Sequence, residues 1–286
     1  VIGLGAMGAP MARRLAQAGF LRGVWNRTPA RAQAVAADTG VLLAASPAEL
    51  ARQCRLLVLS LSADADVEQV IDALLVGAHA GLVVVDTSTV AVTTARRMAT
   101  RLAERGARFL DAPVTGGVEG ARDGRLAMLV GGDAAVLESV RPALAVLSAH
   151  IVLMGTVGNG QAAKAVNQIM VAGINQAVSE ALAFGVAMDL PMDKLIDALG
   201  QGAAGNWFLS HRGAGMVAGD FPPGFRLALH HKDLGLCRAM AQELGASLPI
   251  VEMTLVHYQR LIDAGFGDED ISALYRQKQQ LFAAKR

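Results

Sequence analysis

The chain has 286 residues, which corresponds to two domains at roughly 150 residues each. Hydrophobic residues make up 53% and charged residues 18%, a composition that supports a large core and excludes an intrinsically disordered chain. The 26 basic and 25 acidic residues leave a formal charge of +1, so the sequence carries no electrostatic footprint for nucleic acid or for an anionic membrane surface.

The cellular location is indicated by features that the sequence does not have. Cys54 and Cys237 are too few for a disulfide framework, so we expect a reducing, cytoplasmic location. The most apolar stretch, residues 165–190, is interrupted by Asn, Gln, Glu and Asp, so we expect no membrane-spanning helix. No signal peptide is visible. Because strands usually have about five or six residues and a glycine motif begins at Gly3, we expect that a few native N-terminal residues are absent.

Up to about residue 155, short β-branched runs alternate with longer stretches of helical periodicity. The strand candidates are residues 23–25, 41–43, 56–60, 82–85, 108–110 and 126–130. Ala- and Arg-rich helical segments lie between them, for example at 7–18, 65–75 and 92–105. Continuous apolar runs are typical of strands buried on both faces of a parallel sheet. The alternation therefore predicts a doubly wound α/β domain.

The pattern changes after a glycine-rich loop at residues 155–160. A long helix is predicted from about 161 to 188, and roughly four further helical segments follow, separated by Pro and Gly breaks. No strand pattern is convincing beyond residue 155. We therefore predict an α/β domain over residues 1–158 and an all-helical domain over residues 159–286, joined by the long helix.

Residues 3–8 form the pattern G-x-G-x-x-G, after apolar residues and before a helix. The first glycine permits the tight turn, the second lets the backbone approach a pyrophosphate, and the third lets the helix pack on the strand. The helix N-terminus then presents N–H groups to the phosphate. In a chain with 31 glycines an ordinary strand–helix turn is the alternative. In an α/β context the motif predicts a dinucleotide site made by Gly3, Leu4, Gly5, Ala6, Met7 and Gly8.

The segment after the second strand bears on the choice of cofactor. An NAD site usually has Asp or Glu about 20 residues after the glycine motif, to bind the ribose 2′-hydroxyl. Here the segment has no carboxylate and contains Asn26, Arg27 and Thr28. Arg27 can hold a 2′-phosphate through a charge-assisted hydrogen bond, although it can also be a solvated residue at a helix start. We expect NADP in preference to NAD, with NAD possible.

Residues 111–117 follow a strand and place the hydroxyl of Thr115 beside the amides of Gly116 and Gly117. A hydroxyl and two bare glycine amides form a cradle for a substrate carboxylate. A Pro-Gly turn without further function is the alternative.

The long helix opens with polar residues that recur on one face. Lys164, Asn167, Gln168, Val171 and Asn175 are spaced i, i+3, i+4, i+7 and i+11. A lysine on an apolar helix is costly to bury unless it has a role, and partial desolvation would lower its pKa enough for general acid/base catalysis. A polar seam solvated at the domain junction is the alternative.

The six histidines show no metal-ligand spacing, and the adjacent pair at 230–231 cannot share a helix face, so no metal site is predicted. Lys232 and Asp233 can equally form a surface pair. The acidic run at residues 268–270 is interpreted as a solvated helix start.

Taken together, these motifs resemble the β-hydroxyacid dehydrogenase family, which contains 3-hydroxyisobutyrate dehydrogenase and related semialdehyde reductases. The resemblance covers essentially the whole chain. It depends on four motifs in the family's order, at residues 3–12, 111–117, 158–168 and 232–234. It implies a Rossmann-type doubly wound parallel sheet followed by an all-α, 6-phosphogluconate-dehydrogenase-like C-terminal domain, and a homodimer or homotetramer.

The resemblance also implies roles for individual residues. Lys164 matches the family's catalytic lysine and Asn167 its companion amide. Substrate contacts are implied for Thr115, Gly116, Gly117, Asn167, Gln168, Phe225 and Asp233. Gln168 stands where the family often has Asn, and Thr115 where Ser is commoner. Further cofactor contacts are expected at Asn26, Arg27, Thr28, Leu59, Ser60, Thr89 and Lys232, of which Lys232 would lie near the nicotinamide.

The implied reaction is hydride transfer between the nicotinamide and a small 3-hydroxy acid or semialdehyde, with Lys164 as general acid/base. The Thr115 loop and Lys232 would hold the carboxylate end of this small acid. Two alternatives are an imine reductase, whose members share the fold but lack the lysine, and a catalytically silent NADP-binding module. The presence of Lys164 argues against both.

Overall fold

A computed structural model describes residues 1–283, which form two compact units. The first unit is Val1–Lys164 and the second begins at Ala165. The two units divide inside the long helix, whereas the domain boundary predicted after residue 158 lies at that helix's N-terminal end. Each unit has a hydrophobic core of its own.

The first unit, every residue of which is described, is built on parallel strands. The strands are β1 (Gly23–Val24), β2 (Leu42–Leu43), β3 (Leu56–Leu59), β4 (Val83–Asp86), β5 (Arg108–Asp111), β6 (Val114–Thr115), β7 (Leu126–Gly131) and β8 (Ser148–Gly155). Strands β1 and β2 pair in parallel, and β3, β4 and β5 form consecutive parallel pairs in a larger sheet. Ile2 forms parallel bridges to both Trp25 and Leu59, so it lies between the two sheets. The doubly wound α/β class is confirmed.

The helices of the first unit alternate with these strands as the sequence pattern predicts. They are α1 (Gly8–Gln17), α2 (Pro29–Thr39), α3 (Pro47–Gln53), α4 (Asp64–Leu75), α5 (Val92–Ala103), α6 (Gly117–Asp123) and α7 (Ala134–Leu144). Local capping explains where some begin. Before α3, the Ser46 hydroxyl accepts a hydrogen bond from the Glu49 amide, and the Asp133 carboxylate does the same for Val136 before α7.

The far end of the sheet differs from a uniformly parallel arrangement. Strand β7 runs antiparallel to both β5 and β6 and parallel to β8. Strands β6 and β8 were not among the predicted elements. β6 is only two residues long, and β8 lies at the edge of the sheet with most of its residues exposed. β6 is therefore too short to show a pattern, whereas β8 does contain an apolar run, at residues 151–154, in a segment for which no strand was predicted.

The second unit is helical throughout its described part, apart from a single antiparallel bridge between Arg226 and Asp270. Its helices are α8 (Asn159–Ala187, which begins in the first unit), α9 (Met192–Gly200), α10 (Trp207–Ala218), α11 (Leu227–Glu243), α12 (Pro249–Asp263), a 3₁₀ helix (Ile271–Leu274) and α13 (Tyr275–Ala283). Its core includes the fully buried Tyr258 and Tyr275. The prediction of an all-helical second half is confirmed over these residues.

Helix α8 is long and apolar enough to span a membrane by length and composition, in contrast to the sequence-based expectation. Its interruptions are mainly Asn and Gln, which leave the mean hydropathy of an 18-residue window at 1.4. Buried core helices meet the same criterion. Within the second unit its polar side chains have protein partners, since Asn175 donates to Tyr258 and to the carbonyl of Ile271, and Ser179 donates to Asn175. Such pairing is typical of a core helix.

Candidate active site

The glycine motif lies where the chain turns from Ile2 into α1. A side chain at Gly3 would collide with the carbonyl of Ser60, and one at Gly8 would collide with the carbonyl of Gly3. A Cβ at Gly5, by contrast, would meet no protein atom within 4 Å. Packing therefore requires glycine at positions 3 and 8, while the space at Gly5 remains open for a ligand.

The start of α1 has the features of a phosphate site. Among the described residues no side chain caps this helix, and its first turn contains no acidic residue. The backbone N–H groups and the positive dipole end of α1 are therefore suited to an anion. Together with the open space at Gly5, this arrangement fits the pyrophosphate of a dinucleotide.

After β1, Asn26 has a structural role and Arg27 presents an exposed positive charge. The amide of Leu4 donates to Oδ1 of Asn26 at 2.8 Å, and Nδ2 of Asn26 donates to the carbonyl of Thr28 at 3.0 Å. Asn26 thereby fastens the glycine loop to the end of β1. The side chain of Arg27 is 70% exposed, and its Nη1 lies 2.5 Å from Oδ1 of Asp66 on α4.

The ends of β3 and β4 meet the same loop. The amide of Ser60 donates to the carbonyl of Ile2, and the hydroxyl of Ser88 accepts from the amide of Leu61. Leu59 is fully buried, and Thr89 lies half-buried in the segment between β4 and α5. The predicted cofactor residues of the first unit thus lie at or just beyond the carboxyl ends of its parallel strands, where ligands of open α/β sheets bind.

The Thr115 segment and Lys164 come together in the first unit. Thr115 ends β6 half-buried, and Gly116 and Gly117 follow exposed with φ of 122° and 64°. The Nζ of Lys164 donates to the carbonyl of Val114 at 2.9 Å, and Lys164 is only 7% exposed. A buried ammonium is therefore held directly beside the predicted carboxylate cradle.

The remaining predicted polar residues form a chain of hydrogen bonds in the second unit. Nδ2 of Asn167 donates to Oε1 of Gln168 at 2.7 Å, and Nε2 of Gln168 donates to Oδ2 of Asp233 at 2.6 Å. The other oxygen of Asp233 lies 2.8 Å from Nζ of Lys232. Gln168 and Asp233 are both buried. Both oxygens of Asp233 are thus engaged by protein groups, which orients Lys232 and Gln168.

Phe225 lies beside a buried polar network that sequence reasoning missed. Its ring centroid is 5.3 Å from that of His230. His230 bonds through Nδ1 to the Tyr258 hydroxyl and through Nε2 to the carbonyl of Gln168. Burial raises the pKa of Tyr258 well above its ordinary value, so this hydroxyl stays neutral. The only sequence signal for the network was a pair of adjacent histidines, which gives no indication of partners on other helices.

Two residues quoted in the motifs were assigned no role from sequence. Asp111 is fully buried at the end of β5, and burial raises the pKa of its carboxyl to about 6. Gln161 is also buried, in the first turns of α8, and bonds to Val90 and Ser88. Across residues 1–283 no group of three or more His, Cys, Asp or Glu side chains is arranged for a metal ion.

Comparison with known families covers both units. Residues 1–155 match the family described as the NAD binding domain of 6-phosphogluconate dehydrogenase. Residues 158–277 match the family described as NAD-binding of NADP-dependent 3-hydroxyisobutyrate dehydrogenase. The class that the glycine loop and the fold define is therefore a two-unit NAD(P)-dependent oxidoreductase. The chain belongs to the β-hydroxyacid dehydrogenase family.

Individual relatives align over most of the chain. The 2-hydroxy-3-oxopropionate reductase of Escherichia coli is 38% identical over 255 residues, covering 87% of this chain and 85% of the relative. The NAD-dependent L-serine dehydrogenase of Pseudomonas aeruginosa is 34% identical over 285 residues, covering 96% and 95%. The solved structure of Mycobacterium tuberculosis 3-hydroxyisobutyrate dehydrogenase with L-serine has a TM-score of 0.87 at 32% identity, covering 96% and 97%.

The imine-reductase alternative shares the fold alone. The imine reductase of Myxococcus stipitatus is similar at 22% identity with a TM-score of 0.64, covering 96% of this chain and 97% of that chain. Identity this low supports no inference about substrate. The hydroxyacid dehydrogenase interpretation is the one that holds.

Proposed function

We propose that this protein is an NADP-preferring dehydrogenase that interconverts a small 3-hydroxy acid and its semialdehyde. The observation that carries the proposal is the buried Lys164, whose ammonium bonds to the carbonyl of Val114 next to the Thr115 cradle. A buried charge is costly to keep unless it serves the reaction. Val114 directly precedes Thr115, so the Lys164 amine lies where it can act on a substrate whose carboxylate is bound by the cradle.

Lys164 is the general acid/base of the proposed mechanism. In reduction its ammonium donates a proton to the carbonyl oxygen of the substrate, and in oxidation the amine accepts the hydroxyl proton. The nicotinamide, when bound, supplies or accepts the hydride. Asn167, one turn further along α8, contributes an amide that fixes the reacting oxygen. The side-chain oxygen of Gln168 accepts a hydrogen bond from the Asn167 amide and so sets the orientation of that amide.

The cradle and the compounds that the relatives are named for support the same substrate class. Thr115, Gly116 and Gly117 offer one hydroxyl and two exposed amides, which is a donor set for a carboxylate. The compounds in those names, 2-hydroxy-3-oxopropionate, L-serine and 3-hydroxyisobutyrate, share a carboxylate at C1 and an aldehyde or primary alcohol at C3. A cradle that holds C1 and a lysine that serves the C3 oxygen are the two functions such molecules require.

The residues that follow β1 support the NADP preference. Residues 25–28 contain no carboxylate to pair with a ribose 2′-hydroxyl, and the exposed guanidinium of Arg27 can bind a 2′-phosphate. The pairing of Arg27 with Asp66 tempers this preference, since the phosphate has to compete with a carboxylate that is already in place. NAD therefore remains a usable second cofactor in the proposal.

The proposal includes a homodimer or homotetramer. Large apolar residues lie exposed along α8 in the second unit, namely Val166, Met170 and Phe184, and the exposed Met188 follows directly after the helix. An exposed apolar row on one helix is a feature of surfaces that are covered by another chain. Light scattering of the purified protein measures the state directly, and a monomer would contradict this part of the proposal.

The test is NADPH oxidation at neutral pH with 2-hydroxy-3-oxopropionate, methylmalonate semialdehyde, succinic semialdehyde and glyoxylate, and NADP reduction with L-serine and 3-hydroxyisobutyrate. We expect compounds with C1 carboxylate and C3 oxygen to be turned over fastest. In Lys164→Ala we expect kcat to fall by roughly 10²–10⁴-fold, with NADPH binding retained. A protein that binds NADPH and turns over none of these compounds, or a Lys164→Ala variant of undiminished kcat, would overturn the proposal.

A further inference from the structure

A buried carboxylate ties the helix that carries Lys164 to the sheet. Oδ1 of Asp111 accepts a hydrogen bond from the amide of Gly158 at 2.8 Å, and Oδ2 accepts one from the amide of Gln161 at 2.9 Å. Asp111 is the last residue of β5 and is fully buried. The side chain therefore caps the N-terminus of α8 from a strand that is distant in sequence.

The first turn of α8 is also packed directly against backbone. A Cβ at Gly160 would lie 2.6 Å from the carbonyl oxygen of Asp111 and 2.8 Å from its Oδ2. A Cβ at Gly131, on β7, would lie 2.5 Å from Oδ1 of Asp111 and 2.8 Å from the amide of Gly160. Two glycines thus let the helix start reach the ends of β5 and β7 without intervening side chains.

A second tie fixes the rotation of the helix. Oε1 of Gln161 accepts from the amide of Val90 at 3.1 Å, and its Nε2 donates to the carbonyl of Ser88 at 2.9 Å. Both partners follow β4. Residue 161 is therefore bound through its backbone to β5 and through its side chain to the segment after β4. Such bonding leaves the helix little freedom to slide or turn about its axis.

Lys164 follows Gln161 by three residues, which places it less than one helical turn further along. Its Nζ bonds to Val114, three residues after Asp111. Residues 111–114 thus hold the helix start at one end and the lysine amine at the other. We propose that Asp111 is a positioning residue for the reaction: by capping α8 it fixes where the Lys164 amine lies relative to the Thr115 cradle. This inference rests on the proposed role of Lys164.

A carboxylate suits this task better than the isosteric amide. It is an acceptor at both oxygens, so it can bind two N–H groups of a helix N-terminus and meets the positive end of the helix dipole with a negative charge. An asparagine would offer one oxygen and would point an NH₂ group at the second N–H. The burial that raises the pKa of Asp111 is consistent with a charge kept there at some cost.

The experiment compares Asp111→Asn with a matched cap variant. Asp133 precedes α7 and caps it with the same kind of bond, to the amide of Val136 at 3.0 Å, and α7 carries none of the proposed site residues. We expect Asp111→Asn to lower kcat by about a hundredfold, the effect of a misplacement of about 1 Å, with NADPH affinity unchanged. We expect Asp133→Asn to leave kcat unchanged. Chemical labelling of Lys164 by an amine reagent should be faster in Asp111→Asn than in the wild type.

The outcomes separate the two proposals. If Lys164→Ala loses activity but Asp111→Asn keeps full kcat, the positioning role is wrong and the proposed function stands. If Lys164→Ala keeps its activity, the proposed function itself fails. An equal loss of kcat in Asp133→Asn would mean that general destabilisation is responsible. Gln161→Met, which removes only the second tie, provides the same test should Asp111→Asn not fold: a fall in kcat at unchanged NADPH affinity is expected, and unchanged kcat would overturn the proposal.

Discussion

The amine of Lys164 donates a hydrogen bond to the carbonyl oxygen of Val114 at 2.9 Å. The bond connects a helix to a two-residue strand 50 positions earlier in the chain. It places the proposed acid/base next to Thr115, the first residue of the proposed carboxylate cradle. The group proposed to act on the reacting oxygen of a short hydroxy acid therefore lies next to the residues proposed to bind its carboxylate.

The glycine loop offers a matched pair of substitutions that separate binding from folding. At Gly5 a methyl group meets no protein atom within 4 Å, so Gly5→Ala should fold with an unchanged Tm. It should nevertheless weaken NADPH binding, because the methyl occupies space that the pyrophosphate needs. At Gly8 the methyl collides with the carbonyl of Gly3, so Gly8→Ala should lower Tm. Thermal melts and NADPH titration check both, and a Gly5→Ala protein with wild-type NADPH affinity would contradict the assignment of this loop.

We expect that breaking the ion pair between Arg27 and Asp66 shifts the cofactor preference towards NADPH. Asp66→Asn removes the carboxylate that competes with a 2′-phosphate for the guanidinium. Exposed pairs of this kind are worth about 1 kcal/mol or less, so NADPH should bind more tightly by a factor of about five at most, with NADH little changed. Titrations of both cofactors measure this. Arg27→Ala is the control and should weaken NADPH alone; equal weakening of NADH would contradict a 2′-phosphate role.

Asp111 predicts a pH dependence of stability. Burial raises the pKa of its carboxyl from 3.8 to about 6 in the native state. Between these values the native state binds more protons than the unfolded chain, so the free energy of unfolding falls as pH rises from about 4 to about 6. The shift corresponds to roughly 3 kcal/mol. Relative to Asp111→Asn, the wild type should therefore gain about this much stability between pH 7 and pH 4. Urea denaturation of both proteins across this range is the measurement, and a constant difference would refute it.

The bonds that connect Lys232, Asp233 and Gln168 predict that substitutions at Lys232 and Asp233 have non-additive effects on stability. Asp233→Asn replaces one buried acceptor oxygen by an NH₂ group, which must face either Lys232 or the Gln168 amide. We expect a loss of about 1–3 kcal/mol of stability, the typical cost of an unsatisfied buried polar group, and a lower kcat/KM. Adding Lys232→Met should restore stability but not kcat/KM. Strictly additive stability effects in the double variant would argue that the pair contributes nothing.

Much of the architecture was predictable because it depends on residues that are near each other in sequence. The alternation of apolar runs with helical periodicity indicated the α/β unit, and polar residues at helical spacing placed Lys164, Asn167 and Gln168 on one helix. The glycine motif and the absence of a carboxylate after β1 are visible in the amino-acid sequence itself. These signals are local, since dihedral preferences and side-chain periodicity act over a few residues.

Other features were decided only by tertiary structure. Strand β6 has only two residues, too few to show a pattern, and no strand was predicted for the exposed β8 although its residues 151–154 are apolar. The apolar run of β7 predicted a strand, but its antiparallel direction was fixed only by its pairing with β5. The cap of Asp111 on α8 joins residues 47 positions apart, and the bond between Gln168 and Asp233 joins residues 65 apart. By itself the sequence determined which residue types were available for a dinucleotide, a carboxylate and a proton. Packing decided which of them meet, because a hydrogen bond between distant residues forms only after the elements that carry them are placed.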